Sequence, residues 1–203
     1  MTDNDATGNP IDQTTSAARD EAVAAVLVHA ADLFAERGPA ATSIRDISTR
    51  SGVNQGLVFR YLGTKNQLVK AVLNHLADEV AAAVQANAPA RVIAAKTELQ
   101  WRVLARAILD GFPVGQLQER FPIAANLLKQ GLNSYDEEGT GRLAAANVMA
   151  LQLGWQLFEP FLRSAAGIED LPSSDLRQSV TGEIARMLRT SPSAVFRIAF
   201  PVS

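Results

Sequence analysis

The sequence predicts an all-α protein in which an N-terminal three-helix module is followed by a connecting helix and a larger helical body. Apolar residues recur at the three- and four-residue spacing of a buried helical stripe along most of the 203 residues. We find no alternating apolar–polar run long enough to favour a strand. Caps and glycine or proline stops divide the chain into segments of helical length.

The first helix is expected over residues 21–37, where the apolar positions fall on one stripe. Gly38-Pro39 ends this helix, because glycine supplies a left-handed cap and proline cannot continue the hydrogen-bond ladder. Residues 1–18 are acidic and rich in Thr, Asp and Asn. We expect them to form a flexible tail.

Two short helices joined by a glycine turn are expected next. Ser43 and Asp46 have the spacing of a capping box and predict the start of the second helix. Gly52 lies at the centre of the turn that follows. Asn54 is a good N-cap for the third helix, which we expect to end near Gly63.

A second capping box, Thr64 with Gln67, predicts the start of the connecting helix, which fades at residues 87–89. We therefore divide the chain into a tail, a module over residues 19–80 and a body over residues 81–203. Helical segments of the body are predicted at 91–110, 114–120, 122–134, 141–165 and 174–190.

Two short helices with a glycine turn can present the second helix as a ridge that fits the major groove of B-DNA. The side chains expected to pack against the first helix are Ile44, Ile47, Val53 and Val58. The positions left facing outward are Gln55, Gly56, Leu57 and Arg60. Gln can pair with adenine, Arg with guanine and Leu with a thymine methyl, while glycine lets the helix approach the bases.

The flanks of this ridge carry four residues suited to phosphate contacts: Thr42, Arg45, Tyr61 and Lys65. Ser43 and Asn54, at the starts of the second and third helices, are further DNA-binding candidates. Backbone N–H groups that open a helix also bind anions. The whole chain has a net charge of −2, but residues 42–70 contain five bases and one acid. DNA binding depends on the local charge of a surface more than on the net charge of the chain. The alternative is that these bases are only solvated charges on helix surfaces. Tyr61 could likewise be a core residue.

The motifs ADLFAERG (31–38), TSIRDI (42–47), SGVNQG (51–56), VFRYL (58–62) and Thr64-Lys65 resemble the N-terminal domain of the TetR family of regulators. The resemblance covers about residues 20–80. It implies a dimer that binds a palindromic operator, usually as a repressor. It also implies a C-terminal helical domain that binds a small molecule and dimerises.

Two positions depart from the pattern that the resemblance implies. Phe59 stands where the family commonly has a tyrosine, so one hydroxyl contact to a phosphate is in doubt, although the ring can keep its packing. Leu62 stands where phenylalanine is usual and keeps a smaller apolar anchor.

An effector pocket is predicted in the body for a small, largely apolar molecule. Its candidate lining is Trp101, Phe112, Phe121, Trp155 and Phe158, with Asn126 and Gln130 to orient the ligand. These aromatic residues could instead be ordinary core. The segments 141–165 and 174–190 are expected to pair with those of a second copy in a four-helix interface, the alternative being a monomeric core.

Other classes of function receive little support. The chain has no cysteine, so disulfides and thiolate metal sites are excluded, and its two histidines lack a metal-ligand spacing. No glycine-rich phosphate loop or nucleophile motif is present, and no cofactor or metal is expected. We predict a cytoplasmic DNA-binding regulator without a membrane span. The alternative is an all-α adaptor or enzyme-like ligand-binding protein that does not bind an operator.

Overall fold

The computed structural model describes residues 10–117 and 122–191, and within these ranges it confirms the all-α prediction. The helices are α1 (Pro10–Arg37), α2 (Ile44–Ser51), α3 (Gln55–Leu62), α4 (Lys65–Gln85), α5 (Ala90–Leu109), α6 (Val114–Leu117), α7 (Pro122–Ser134), α8 (Glu138–Ala166) and α9 (Ser173–Met187). No helix in the described part of the chain is long and apolar enough to cross a bilayer. Phe121 and the end of the predicted segment 114–120 lie outside the described residues.

The first helix begins earlier than the apolar pattern indicates. It starts at Pro10, so residues 10–18, which were expected in the flexible tail, are helical, and residues 1–9 lie outside the described part. Proline suits the first position of a helix because its φ is preset and its missing N–H would have no partner there. The helix ends as predicted at Gly38, whose φ is +84°.

The first of two main apolar clusters forms the core of the N-terminal module. Phe34 of α1, Ile47 of α2, Val58 of α3 and Leu73 of α4 are buried in this first cluster. Ile44 and Val53 pack against it, so all four apolar side chains predicted to face α1 contact the core. The cluster also contains Val103, Ala107 and Val114 from α5 and α6. The core of the module therefore includes residues beyond position 80.

The second cluster lies in the body and joins α4 to α7, α8 and α9. Its buried members are Val80, Leu127, Ala145, Val148, Ile184, Ala185 and Leu188. Helices α7 and α8 approach each other closely where Gly131 faces Gly141. A Cβ atom on Gly131 would lie 2.3 Å from the carbonyl oxygen of Gly141, so the packing depends on the absence of a side chain.

Helix α8 bends near its C-terminal end. Phe158 leaves helical geometry, with φ −119° and ψ 15°, two residues before Pro160. Proline removes one backbone donor and its ring crowds the preceding turn, which accounts for the bend. Phe158 and Phe161 beside it are 49% and 68% exposed.

Candidate nucleic-acid interface

The three helices that build the candidate interface, α2 to α4, each begin with a side-chain cap. Asp46 N–H donates to Ser43 Oγ at 3.1 Å, and Ser43 N–H donates to Asp46 Oδ2 at 2.8 Å. Thr64 and Gln67 make the same reciprocal pair at the start of α4. Gly56 N–H donates to Asn54 Oδ1 at 2.8 Å. Both predicted capping boxes and the predicted Asn54 cap are thus confirmed.

The turn between α2 and α3 has the geometry that its glycine predicts. Gly52 ends α2 with φ +72°, a left-handed conformation that L side chains rarely adopt. The Ser48 hydroxyl donates to the carbonyl of Val53 across this turn. No motif in the sequence predicts this bond, because a side chain that reaches a carbonyl five residues away leaves no recognisable spacing.

The solvent face of α3 is the predicted reading surface. Val58 is 1% exposed and holds α3 against the first cluster, while Gln55, Gly56, Leu57 and Arg60 are exposed together. The structure therefore leaves all four base-reading candidates accessible on one short helix.

The cations of the module differ in how they are held. Arg50 Nη2 lies 2.9 Å from Glu36 Oε1, and Arg37 Nη2 lies 3.0 Å from Asp46 Oδ2, so both join α1 to α2. Arg45 and Arg60 are exposed and make no ion pair within the described residues. Of the basic residues counted between 42 and 70, these two are best presented to an anionic partner.

Asp46 is part of both the α2 cap and the Arg37 ion pair. The hydrogen bond from the Ser43 N–H lowers the pKa of the Asp46 carboxyl below its ordinary value, and Arg37 acts in the same direction. The carboxylate therefore remains ionised at neutral pH, as a cap at a helix N-terminus requires.

Thr42, which the sequence predicted as a phosphate contact, is buried. Its side chain is 2% exposed, and its hydroxyl donates to the Gly38 carbonyl at 2.8 Å. Because the loop after α1 folds this hydroxyl inward, it is not available to a phosphate.

Lys65 is partly buried against the first cluster. Its ammonium donates to the Thr42 carbonyl and lies 5.0 Å from the ring centroid of Phe34. Burial lowers the pKa of Lys65. The bond to the Thr42 carbonyl uses one of the three N–H donors of Lys65 and joins α4 to the loop before α2. The remaining donors, on a flexible side chain, can reach a second acceptor.

Phe59, which was expected to keep a packing role, is 48% exposed. It lies about 100° around α3 from the buried Val58, so the ring rests half in solvent. The apolar anchors of α3 in the first cluster are Val58 and Leu62.

Tyr61 is partly buried and has a neighbour that sequence reasoning missed. The guanidinium carbon of Arg19, on α1, lies 5.3 Å from the centroid of the Tyr61 ring. The two residues are far apart in the chain and no motif links them, so only the folded packing of α1 on α3 reveals the contact.

A second missed contact joins the body to the module. Asp110, immediately after α5, accepts a hydrogen bond from the Ala40 N–H at 2.7 Å. A Cβ atom on Gly38 would lie 2.5 Å from the same carboxylate oxygen. The loop between α1 and α2 is thus fastened to the end of α5.

The predicted effector-pocket residues that the structure describes lie in different surroundings. Phe112 packs against the first cluster and Trp101 against the second, while Phe158 is half exposed. Asn126 and Trp155 are partly buried, and Gln130 Nε2 donates to Ser134 Oγ at 3.1 Å. The spacing of aromatic residues in the sequence does not show whether a ring packs in the first cluster or the second, and so it could not separate Phe112 from Trp101.

A crevice of about 150 Å³ lies elsewhere, between α1, α4 and α5. It is lined by Val28, Ala31, Asp32, His75, Leu76, Glu79, Lys96 and Leu99, none of which was predicted to line a pocket. Lys96 and Glu79 form an ion pair in its wall, and this pair lowers the pKa of Glu79.

Comparison with known proteins identifies relatives. The sequence model described as bacterial regulatory proteins, tetR family, matches residues 26–72. The "HTH-type transcriptional repressor Rv3405c" of Mycobacterium tuberculosis (strain H37Rv) is 56% identical over 170 residues, which cover 84% of this chain and 90% of the relative. The "HTH-type transcriptional regulator Mb3439c" of Mycobacterium bovis shows the same identity and coverage.

Proposed function

The chain belongs to the TetR family of bacterial regulatory proteins and is a DNA-binding transcriptional regulator, and we propose that it is a homodimeric repressor of a palindromic operator. The observation that carries the proposal is the exposed face of α3, with Gln55, Leu57 and Arg60 outward and Val58 buried. A relative's name includes the word repressor, which favours repression over activation.

Within this proposal, α3 lies in the major groove. Arg60 donates two hydrogen bonds to a guanine, Gln55 pairs with an adenine and Leu57 contacts a thymine methyl. Gly56 lets the helix axis approach the base edges, because a side chain at that position would stand between α3 and the groove floor.

Contacts to phosphates then come from the flanks of α3. Arg45 is exposed and makes no ion pair within the described residues, and the Tyr61 hydroxyl and the free donors of Lys65 complete the set. The N-termini of α2 and α4, at Ser43 and Thr64, add a favourable dipole for an anion. Thr42 is left out because its hydroxyl is already used.

The homodimer is proposed from the surface of the body. Leu143, Phe158 and Phe161 of α8 are exposed apolar side chains in the single chain. Nothing lies within 4 Å of where a Cβ would stand on Gly154 of α8 or Gly182 of α9, so a second copy could approach both helices closely. Two recognition helices must then sit about 34–36 Å apart to enter successive major grooves.

The effector is proposed to be a small, largely apolar molecule that carries at least one hydrogen-bonding group. Thr97 Oγ1 and Gln100 Oε1 on α5 are buried without a partner in the described part of the chain. A buried polar atom without a partner is costly, and a ligand could supply the missing bond. A thermal-shift screen that yields only highly charged binders would contradict this assignment.

Effector binding in the body would reach the DNA through α5 and α6. Both helices place side chains in the first cluster, and Asp110 holds the loop before α2. A ligand changes operator affinity only if it binds one spacing of the recognition helices better than the other. We also propose that the protein acts in the cytoplasm, where bacterial DNA lies, and that it has no catalytic role.

A mobility-shift titration with the DNA that flanks the protein's own gene tests the proposal. We expect a sequence-preferring complex whose affinity falls steeply with salt, because phosphate contacts release counterions. Arg60→Ala should weaken this complex, and Arg91→Ala on the exposed start of α5 is the matched control. If no flanking region gives a sequence-preferring complex, the proposed operator is wrong and the adaptor alternative gains support.

A further inference from the structure

Arg19 lies beside the recognition helix although it belongs to the first helix. Its guanidinium carbon is 5.3 Å from the centroid of Tyr61, within the range of a cation–π contact. Arg19 is exposed, and it sits inside the continuous helix α1 rather than in a loose tail. The backbone that carries this cation is therefore fixed relative to α3.

The position of Tyr61 on α3 shows which way Arg19 faces. Successive residues of an α-helix are turned by about 100°, so Tyr61 follows Leu57 by about one turn on the same side. Val58 and Leu62 occupy the edge that enters the first cluster. Arg19 thus adds a cation to the flank of the exposed ridge, close to the side on which Leu57 faces the solvent.

The described residues offer the Arg19 guanidinium the Tyr61 ring but no carboxylate partner. Arg19 makes no ion pair within the part of the chain that the structure describes, whereas Arg37 and Arg50 are each paired with a carboxylate. The next residues, Asp20 and Glu21, are acids, but they lie about 100° and 200° further around α1 and so face other directions.

We propose that Arg19 is a DNA-contacting residue that donates hydrogen bonds from its guanidinium to a phosphate at the edge of the groove that α3 enters. An aromatic ring beside a guanidinium does not occupy its N–H donors, so these can still bond a phosphate. A cation held in this way loses less conformational freedom on binding than a free surface arginine. This inference rests on the proposed operator binding.

Arg19 extends the interface beyond the motif that identifies the family. The family match covers residues 26–72, and the helix-turn-helix begins still later, so neither includes position 19. The contact becomes visible only when α1, which begins at Pro10, packs across α3.

The test measures operator affinity and its salt dependence for the full-length chain, with the wild-type complex as reference. Arg19→Ala should weaken binding about tenfold, and the slope of log K against log salt should fall by about 0.9 for each phosphate that is no longer neutralised, or roughly 2 for a dimer. Arg91→Ala should leave affinity and slope unchanged. Arg19→Lys keeps the charge but not the planar fork, and it should give an intermediate affinity.

Tyrosine variants test whether the two side chains act together. Tyr61→Phe keeps the ring, so the effect of a second Arg19→Ala change should persist in that background. In a Tyr61→Leu background the ring is gone, and Arg19→Ala should weaken binding much less than it does in the wild type. Such non-additivity is the expected mark of coupled neighbours.

Three results would overturn the inference in distinguishable ways. If the wild type binds its operator and Arg19→Ala binds with equal affinity and slope, Arg19 makes no contact with the DNA. If Arg19→Ala lowers affinity and Tm together while the salt slope stays constant, Arg19 is structural only. If the wild type shows no operator complex, the proposed function fails and the inference fails with it.

Discussion

The N-terminal module and the body use different means to hold their helices. Ser43, Asn54 and Thr64 cap α2, α3 and α4 with side-chain hydrogen bonds. The residues before α5, α8 and α9 are Pro89, Glu137 and Pro172, and none of them makes such a bond. Local sequence therefore specifies the start of each recognition element, whereas the body depends more on packing between helices.

The two regions also differ in what they leave exposed. The large apolar residues exposed on α3 are Leu57 and Phe59, on the surface assigned to DNA. The body exposes Leu143, Phe158 and Phe161 along α8. It also buries Thr97 Oγ1 and Gln100 Oε1, which have no hydrogen-bond partner among the described residues. The exposed apolar residues of α8 and the buried polar atoms of α5 are the features from which we proposed a second copy and a ligand.

The largest expected effect tests whether a second copy covers α8. Phe161→Glu places a charge on a side chain that is 68% exposed in the single chain. If the homodimer forms through α8, the variant should become monomeric and lose about 100-fold in affinity for a two-half-site operator, because the second half-site no longer binds intramolecularly. Light scattering and mobility shifts measure both effects.

Leu109→Glu is the control for this prediction, since Leu109 is equally apolar and 66% exposed but lies at the end of α5. It should leave the oligomeric state unchanged. A Phe161→Glu variant that remains a dimer would exclude this face of α8 as the interface.

The next effect tests the dependence of the body on close packing. Gly131→Ala would bring a Cβ to 2.3 Å from the Gly141 carbonyl oxygen, and backbone cannot move aside as a side chain can. The free energy of unfolding should fall by about 3 kcal/mol, as measured in urea. Gly139→Ala, near the start of α8 in open surroundings, should not destabilise the protein because alanine favours helix. Equal effects of the two substitutions would contradict close packing.

A smaller effect tests the local specification of the module. Thr64→Ala removes the acceptor for the Gln67 N–H at the start of α4, and the free energy of unfolding should fall by about 1 kcal/mol. Thr49→Ala on the exposed surface of α2 is the control and should change stability little. A Thr64→Ala protein as stable as the control would show that α4 is positioned by packing alone.

The smallest effect concerns the pH dependence of the α2 cap. The pKa of the Asp46 carboxyl is lower in the folded protein than its ordinary value of about 3.9. The ionised carboxylate therefore adds to the free energy of unfolding above that ordinary pKa, and this contribution is lost as the pH falls through the folded pKa. Wild type should therefore be more stable than Asp46→Asn at pH 7, with a difference that shrinks below pH 4. Urea unfolding over this range measures it, and a difference independent of pH would rule out the ionised cap.

Much of the fold could be predicted because its signals are local. Capping boxes span four residues, and the glycine stops at Gly38 and Gly52 reflect a conformation that other residues rarely adopt. These short-range rules predicted the order of α1 to α4 and the exposed face of α3. The start of α1 was missed because residues 10–20 lack an apolar stripe. This segment is helical as an N-terminal extension of the amphipathic helix over residues 21–37.

The candidate site was predicted in part for the same reason. The outward residues of α3 follow from one buried position, Val58, and from helical periodicity. The inward position of the Thr42 hydroxyl was not predicted, because a threonine before a helix can bond either outward or back to the preceding loop. In the body, the sequence did not predict that the pocket candidates Trp101 and Phe112 face different clusters.

By itself, the sequence determined the helical class, the caps, the glycine turn and the recognition face, all of which arise from interactions within about one or two turns of chain. Only the tertiary structure decided that Arg19 reaches Tyr61, that Asp110 holds the loop at Ala40 and that Gly131 meets Gly141. Each of these contacts joins different helices or the loops between them. Their geometry depends on how whole helices pack, and no spacing along the chain encodes it.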